Sequence, residues 1–336
     1  MRPLPVLILV ASLANSTTHA DDGAASIAIG GIVMTREPRI TMAKEVLSIS
    51  ESKVLVDYDF RNDSDSNITT EVAFPIPSYS FNYSAAPPQL AGFDDFKLWI
   101  DGKTVEFTTQ VRAVIGKRDV TDLLKGSHID AASFGHYRDS KSGPVFPDIE
   151  RLGKLDRTHL IALNAIDKLG GVPRWNVEKK YYWQQTFPAH SVVHVSHEYT
   201  PVLGSTNSVS YGLLQAKEDP DSTKELATLC IDSGLRSKLL DYLKDQNTII
   251  PFSYIDFILT TANTWKTPIE DFTLIVERPH EPQAKVVSSQ QTFVSFCWDG
   301  PVTRVDADHF TTHVNNLVPT KELRIGFIEV EHLKPN

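Results

Sequence analysis

Residues 181–204, YYWQQTFPAHSVVHVSHEYTPVLG, decide the fold of this chain. Large apolar side chains alternate with Gln, Ser, His and Glu on both sides of Pro188. On a pleated strand this period of two buries one row of side chains and leaves the other in solvent. Pro188 cannot donate to a ladder, so it marks a bend between two strands, and Pro201 with Gly204 ends the second. The stretch predicts a half-buried hairpin against which the rest of the chain packs.

Residues 1–20 have the three parts of a secretory signal peptide. Arg2 supplies the positive start, residues 4–13 the apolar run, and residues 18–20 (THA) a small-x-small cleavage site. The apolar run is shorter than the about 20 residues that span a bilayer, and no later stretch is long and apolar enough for a membrane anchor. The sequence predicts a periplasmic or secreted protein without a transmembrane segment, cleaved near Ala20.

Composition limits the class of partner. The chain has 336 residues, of which 41% are hydrophobic and 22% charged, so it can bury a large core. Its formal net charge is −9, and loss of Arg2 with the signal peptide makes it −10. Nucleic acids and anionic membranes select clustered Lys and Arg, and the sequence has no such cluster. Nucleic acid is therefore excluded as the main partner.

Two hairpins are predicted in the first third of the chain. Residues 53–60 alternate apolar and polar side chains, and residues 68–74 return as the partner strand after a polar turn. Residues 96–100 and 105–114 flank the pair Asp101-Gly102, which favours a tight hairpin turn. These segments predict antiparallel strands of a mainly β protein.

The first polar turn contains a partial calcium pattern. Asp63, Asp65 and Asn67 have the one-three-five spacing of a calcium-binding loop. An EF-hand loop, however, needs glycine where Ile68 stands and glutamate where Phe74 stands. We therefore favour a solvated turn over a calcium site.

Aromatic residues on turns are the candidate binding residues. Tyr79, Phe81 and Tyr83 lie on a loop rich in Tyr, Ser and Pro, and exposed aromatic residues on loops are typical of recognition surfaces. The alternative, which we favour for this loop, is a flap that covers the open face of the sheet. Trp265 and Trp298 are further candidate anchors for a partner.

A helical insertion is predicted over residues 118–173. A short helix covers residues 119–126 and a longer one residues 148–169, while residues 127–147 have the small and polar side chains of a mobile lid. The longer helix has an apolar stripe with spacings of three and four. The stripe consists of Leu152, Leu155, His159, Leu160, Leu163, Ile166 and Leu169.

No catalytic or metal-binding motif stands out. His190, His194 and His197 form the densest histidine group, but on a strand the first two share a face and the third points away, so we expect three solvent-facing histidines and no zinc site. The sequence lacks a Gly-x-Ser-x-Gly elbow, a P-loop and a dinucleotide fingerprint. Acidic pairs such as Glu150 and Asp156 occur by chance in an acidic chain. No metal and no cofactor are predicted.

Cys230 and Cys297 are the two cysteines of the chain. In an oxidising compartment a single pair is expected to form one disulfide. By the chain-entropy relation a loop of this length stabilises the fold by about 4 kcal/mol. Two buried free thiols are the alternative, and a nucleophilic cysteine has no support from the neighbouring residues.

The last third repeats the β pattern. Polar residues 217–224 mark a boundary, so we predict an N-terminal β domain over residues 21–215 and a C-terminal β domain over residues 216–336. In the second, Asp232 caps a helix. The predicted strands cover residues 253–261, 272–277, 292–298, 309–314 and 323–331. The expected architecture is two antiparallel sandwich-like domains, one with the helical insertion and one with a single helix.

Several short motifs resemble one known family. They are WxQxFPA from Trp183, HxYxPVxG from His197, CxD from Cys230, SFCxxG from Ser295, GGI from Gly30 and AFPIP from Ala73. The chain resembles DUF4424, a family of secreted bacterial proteins described as a domain of unknown function, over nearly all of its mature length. The resemblance implies a strand-rich protein with a signal peptide and a paired C-terminal cysteine couple. It implies no activity and no catalytic residue.

Two functional hypotheses follow. The first is a binding or structural role in the cell envelope, in which the aromatic residues contact an envelope protein or a glycan. The second is a hydrolase with a composite site of acidic and histidine side chains between the first β domain and the helical insertion. A deep pocket with several perturbed titratable groups favours the enzyme, and a flat exposed aromatic patch favours the binder.

Overall fold

The computed structural model describes residues 23–28, 31–81, 95–137, 144–169, 171–216, 219–243, 249–279 and 288–333. Within these ranges the chain is mainly β with few helices, which confirms the predicted fold class. The predicted signal peptide and its cleavage site lie outside the described residues.

The strands of the first half are β1 (Gly23–Ala28), β2 (Gly31–Met34), β3 (Ile40–Ser50), β4 (Lys53–Asn62), β5 (Ile68–Pro75), β6 (Tyr79–Ser80), β7 (Lys97–Ile100), β8 (Lys103–Thr104), β9 (Thr108–Ile115), β10 (Arg118–Asp119), β11 (His136–Tyr137) and β12 (Pro144–Val145). Those of the second half are β13 (Asn176–Phe187), β14 (Ser191–Tyr199), β15 (Leu203–Ser210), β16 (Ile249–Phe257), β17 (Ile269–Glu277), β18 (Ser288–Cys297), β19 (Thr303–Arg304), β20 (His309–Leu317) and β21 (Leu323–Leu333). The helices are α1 (Thr121–Gly126), α2 (Pro147–Glu150), α3 (Lys154–Ala162), α4 (Tyr211–Gln215), α5 (Pro220–Thr228), α6 (Ser233–Tyr242) and a 3-10 turn (Thr260–Thr264).

Three sheets make the body of the molecule. A seven-stranded sheet has the order β10-β9-β13-β5-β1-β2, with β6 also paired to β13, and an eight-stranded sheet has the order β19-β20-β17-β3-β4-β14-β7-β8. A four-stranded sheet has the order β15-β16-β21-β18. The first two pack face to face, as the ring contact of Phe60 with Phe187 at 5.7 Å shows. Their inward rows alternate with exposed residues along each strand and form one hydrophobic core.

Residues 181–204 run through both layers of this sandwich. β13 lies in the seven-stranded sheet and β14 in the eight-stranded sheet, so the alternation was predicted correctly but the hairpin pairing is wrong. The turn after Pro188 carries the chain from one layer to the other, with His190 in the left-handed region at φ 51°. The predicted pairing of residues 53–60 with 68–74 is wrong for the same reason, since β4 and β5 belong to different layers.

Asparagine side chains join these two crossings. Asn62 is fully buried, and its Nδ2 donates to the carbonyl oxygens of Ser66 and Phe187, each at 2.9 Å. Asn67 lies on the same side, and its Oδ1 accepts from the backbone N–H of Ala189 at 3.0 Å. The turn of the first crossing is thus tied to the turn of the second, which fixes the spacing between the two layers at this end.

The interior of the sandwich is aromatic and contains a histidine. Phe74 lies 4.3 Å from the ring of His197, and Phe96 stacks on Tyr181 at 4.1 Å. His197 is completely buried, so the prediction that it faces solvent is wrong. It has the same parity along β14 as the buried Val195, and position on the strand decided its burial.

The eight-stranded sheet contains strands from both sides of the predicted domain boundary. β3 pairs with β4 in antiparallel fashion and with β17 in parallel, with Glu45 opposite Phe272 and Ile49 opposite Val276. β15, from before the boundary, joins β16 in the four-stranded sheet. The two predicted parts therefore share sheets, and the division at residues 215 and 216 as folding units stays a prediction.

The helical insertion differs from the prediction in one respect. The single helix expected over residues 148–169 is wrong, because the chain forms the short α2 and α3 with Gly153 between them. α3 ends before Asn164, whose φ of 59° lies in the left-handed region. Of the predicted stripe, Leu160 and Ile166 are buried, while Leu155 and Leu169 are 86% and 99% exposed.

Candidate functional site

A groove lies where α5 and α6 meet one end of the four-stranded sheet. Its volume is about 950 Å³. We call it the disulfide groove, because the Cys230–Cys297 disulfide forms part of its wall. Leu226, Arg236, Phe296, Trp298 and Arg324 also line it. Apolar and charged side chains are therefore present in one cavity.

The turn between α5 and α6 shapes one wall. α5 ends in a Schellman motif, in which Cys230 takes a φ of 54° and Ile231 N–H donates to the Leu226 carbonyl at 3.0 Å. α6 then begins at the N-cap Asp232, whose Oδ1 accepts from Leu235 N–H at 2.7 Å. The sharp reversal directs the Cys230 side chain toward the end of β18.

The predicted disulfide is present and joins this turn to the sheet. The Cα atoms of Cys230 and Cys297 are 5.2 Å apart, a usual distance for a disulfide. The residues are separated by 67 positions in the sequence, so the bond closes a long loop. It holds the start of α6 against β18 and keeps the groove open between them.

Arg324 forms the ionic floor of the groove. Its Nε and Nη2 donate to the two carboxylate oxygens of Asp256, at 2.6 and 2.8 Å. This hydrogen-bonded carboxylate raises the pKa of Arg324. The guanidinium also lies over the ring of Tyr254, 4.2 Å from its centre. The bidentate pair leaves Arg324 without spare charge for a ligand.

Two further charged residues of the groove have partners within the protein. Lys321 Nζ lies 2.6 Å from a carboxylate oxygen of Asp299. Glu322 accepts from the backbone N–H of Leu259 at 2.9 Å and from the Thr260 hydroxyl at 2.7 Å. Both side chains therefore stabilise the loops around the groove; the charge of Lys321 is paired, and the Glu322 carboxylate is held by neutral donors.

Arg236 differs from these neighbours. Its Nε donates to the carbonyl oxygen of Leu214, which ties α6 to α4. Its Nη2 is buried and has no hydrogen-bond partner within the described part of the chain. No carboxylate of the described residues forms an ion pair with it. A buried donor of this kind is uncommon and needs an explanation.

Trp298 lines both the groove and a second cavity of about 330 Å³. Its ring lies 5.6 Å from that of Phe272, and Gly300 leaves room for the indole, since a Cβ there would come within 2.5 Å of Nε1. Lys321 and Leu323 also line both cavities. Trp298 is thus within reach of a ligand in either cavity.

The other candidate binding residues do not lie at the groove. Tyr79 is 6% exposed and Trp265 1% exposed, so the expectation that Tyr79 is exposed on its loop is wrong. The Tyr79 hydroxyl donates to the Ala132 carbonyl at 3.1 Å, and Phe81 packs on Phe146. These two aromatic residues attach their loop to the helical insertion.

Tyr83 lies outside the described residues. Of the five candidate binding residues, Trp298 is the one that the described structure places in the groove. Trp265 instead belongs to the sandwich core, where its ring lies 4.7 Å from that of Phe60.

The histidines and the partial calcium pattern do not converge. His190 pairs with Asp65 at 2.8 Å, and His194 pairs with Asp59 at 3.0 Å on the outer face of the eight-stranded sheet. Asp63 binds Arg61 at 2.9 Å. Across the ranges that the structure describes, no group of three or more His, Cys, Asp or Glu side chains could hold a metal ion.

A small cavity of about 290 Å³ lies within the helical insertion. Among its lining residues Asp148 is the titratable one, and its carboxylate already accepts from the backbone N–H of Asp130 at 2.9 Å. Glu150 and Asp156, the acidic pair singled out from the sequence, are exposed on the surface. No constellation of acidic and histidine groups is present among the described residues of this insertion.

Sequence reasoning missed Arg236, Arg324 and Asp256. The groove is made from five separate segments, near residues 77–78, 226–236, 256–258, 296–298 and 321–324, and no local pattern brings them together. One signal was available, because CxD places a cysteine just before a helix N-cap, and the first turn of that helix contains Arg236.

Comparison with known proteins gives the family. A family model described as a domain of unknown function, DUF4424, matches residues 20–325. The chain belongs to this family. A search of curated proteins finds no match to this DUF4424 member. In the described residues no helix is long and apolar enough to cross a membrane.

Two solved structures share distant similarity with the DUF4424 chain. One, from Legionella pneumophila, is described as a candidate nutrient binding protein. It is 13% identical to this chain, with a TM-score of 0.41, and the match covers 92% of this chain and 70% of that chain. The other is a substrate-bound mutant M1 zinc metallopeptidase from Deinococcus radiodurans, 11% identical, with a TM-score of 0.23, matched over 87% of this chain and 44% of that chain.

Proposed function

We propose that this DUF4424 protein is a periplasmic or secreted binding protein and that its ligand, a component of the cell envelope such as a protein segment or a glycan, binds in the disulfide groove. The observation that carries the proposal is the groove itself. Its volume of about 950 Å³ is at the upper end of the range for ligand sites. It combines an apolar wall with polar groups that can fix the orientation of a ligand.

The construction of the groove supports a binding role. The disulfide and the Arg324–Asp256 pair hold both walls, so the cavity is formed before a ligand arrives. A preformed site loses less conformational entropy on binding than one that must be ordered. Trp298 supplies a large apolar surface at low entropic cost.

Fluorine NMR of the mature protein tests the proposal. Labelling with 5-fluorotryptophan gives one resonance for each of the five tryptophans, and Trp298→Phe assigns the groove signal. The probes are peptides from a digest of envelope proteins and, separately, soluble cell-wall glycan fragments. We expect one set to move the Trp298 resonance while that of the buried Trp265 stays unchanged.

A blocking variant provides the control. Ala227 is exposed at the groove on α5, and Ala227→Trp should fill the cavity and abolish the response. Ala162→Trp places the same side chain on α3, at an exposed alanine away from the groove, and should leave the response intact. If neither probe set moves the Trp298 resonance, or if both variants behave alike, the proposed site is wrong.

The compartment has its own test. The proposal requires that the signal peptide be removed, so the N-terminus of the protein recovered from the producing cells should lie near Ala20. Mass spectrometry of the intact protein measures this directly. A cytoplasmic, uncleaved product would contradict the proposed location.

A further inference from the structure

The charged side chains that line the disulfide groove differ in their partners. Arg324 is neutralised by Asp256, and Lys321 by Asp299. Glu322 is occupied by backbone and hydroxyl donors. A ligand that bound one of these groups would have to displace its present partner, so the exchange would contribute little net binding free energy.

Arg236 is the cation of the groove that has no carboxylate partner among the described residues. Its guanidinium is anchored through Nε to the Leu214 carbonyl, so its plane is held in position. Its Nη2 is shielded from solvent and has no acceptor within the described part of the chain. The rest of the guanidinium lines the groove, and an anionic ligand could pair with its charge without displacing a carboxylate.

Asp232 supplies the other ionic group of this wall. It is exposed at the start of α6, and its Oδ1 is held by Leu235 N–H as the helix cap. The positive end of the helix dipole partly offsets its charge. Asp232 and Arg236 form no ion pair in the described structure, so the guanidinium stays available to an anion.

We infer that the disulfide groove binds ligands in which a carboxylate is joined to an apolar group, with Arg236 as the partner of the carboxylate. The inference rests on the proposed binding function and specifies its ligand class. The Nε–H of Arg236 is used by the Leu214 carbonyl and Nη2 is shielded, so the carboxylate meets the remaining Nη1 donors and the fixed positive charge of the guanidinium. The apolar part of the ligand contacts Phe296 and Trp298 on the opposite wall.

Matched acid and amide probes test the carboxylate. One pair is 4-phenylbutanoate and 4-phenylbutanamide, and the other is the tripeptide acetyl-Ala-Ala-Phe as its free acid and its C-terminal amide. Each is titrated into the fluorotryptophan protein, and the Trp298 resonance reports the dissociation constant. We expect the acid of at least one pair to bind about tenfold tighter than its amide, the usual gain for a hydrogen bond to a charged group.

Variants assign the preference to one residue. Arg236→Gln should remove the difference between acid and amide, and Arg236→Lys should keep part of it as a point charge. Lys97→Gln is the control, because Lys97 is likewise paired with a carboxylate, that of Glu198, but lies on β7 away from the groove, and it should keep the full preference. The four other tryptophan resonances report whether each variant is folded. If Arg236→Gln does not fold, the acid and amide affinities of Arg236→Lys and of the wild type decide whether Arg236 is the partner of the carboxylate.

The outcomes separate the inference from the proposed function. If the acid binds tighter than the amide in the tripeptide pair alone, the ligand group is the carboxyl end of a peptide. If it does so in the 4-phenylbutanoate pair alone, the ligand is a small free acid. Both results support the inference. Equal binding of acid and amide, with a Trp298 response, overturns the carboxylate inference and leaves the binding function standing. No response to any of the four probes also overturns it, while the envelope mixtures decide the proposed function separately.

Discussion

The buried side chain of Asn62 is expected to be one of the most sensitive positions in the fold. Its Nδ2 donates across the two layers to Phe187 and within its own turn to Ser66, each at 2.9 Å. Its Oδ1 accepts from the N–H and the hydroxyl of Ser64, at 3.0 and 2.7 Å. Asn62→Ala removes all four bonds.

The magnitude follows from the burial of these groups. A net hydrogen bond contributes about 1 kcal/mol, and a buried group left without its partner costs more. We expect Asn62→Ala to lower the free energy of unfolding by about 3 kcal/mol, since some of the turn bonds can be replaced by water. For a chain of this size that corresponds to a fall in melting temperature of about 4 °C.

Asn67 offers a matched control at the same corner. Its Oδ1 makes one exposed bond to the N–H of Ala189, so Asn67→Ala should cost about 1 kcal/mol or less. Asn62→Asp keeps the volume of Asn62 but turns an oxygen toward two carbonyl oxygens, and should destabilise at pH 7 at least as much as alanine. Calorimetry and urea denaturation of the mature protein measure all three. Equal effects of the two alanine variants, or a tolerated aspartate, would refute the reasoning.

Three further predictions concern other parts of the molecule. Burial, reinforced by the charge of Glu329, raises the pKa of the Glu51 carboxyl. The folded state therefore binds this proton more tightly than the unfolded chain, and the protein loses stability as pH rises above about 4.5. Glu51→Gln should raise the melting temperature at pH 7 and leave it nearly unchanged at pH 4. Reducing the disulfide, which spans 67 positions, should lower the free energy of unfolding by about 4 kcal/mol, seen as a fall in the urea midpoint; an unchanged midpoint would contradict its structural role. Gly204→Ala should destabilise, because its Cβ would come within 2.0 Å of the Tyr254 ring, whereas Gly126→Ala meets nothing within 4 Å and should be tolerated in the same melting assay.

The sequence predicts which residues face inward far better than which strands pair. Alternation on each side of Pro188 correctly separated Phe187 and Val193 from their polar neighbours. The same alternation is compatible with a hairpin or with a crossing between layers, because both bury one row. The ladders of β13 with β5 and of β14 with β4, together with the contacts of Asn62, place the two strands in different layers.

His197 shows a second limit. Its parity with Val195 predicts burial, yet its polar side chain suggested a surface position. The structure follows the parity, since an imidazole ring can pack among aromatic rings such as Phe74. In this strand, position is therefore a better guide than residue type.

The candidate site was less accessible to prediction than the fold. The cysteine pair and Trp298 could be named from the sequence because each is a rare residue with a known role. Arg236 is one of many charged residues, and nothing local distinguishes it. Its importance depends on which other charges find partners, and that depends on segments far apart in the chain.

The parallel pairing of β3 with β17 also sets the order in which the molecule can be completed. Glu45 lies opposite Phe272, so a chain synthesised from its N-terminus holds β3 long before the strand that covers its edge exists. Closing so long a loop is entropically costly and makes folding slow. Until then an apolar strand edge stays unpaired and open to aggregation. The nascent protein is therefore expected to depend on shielding of this edge until its last third has emerged.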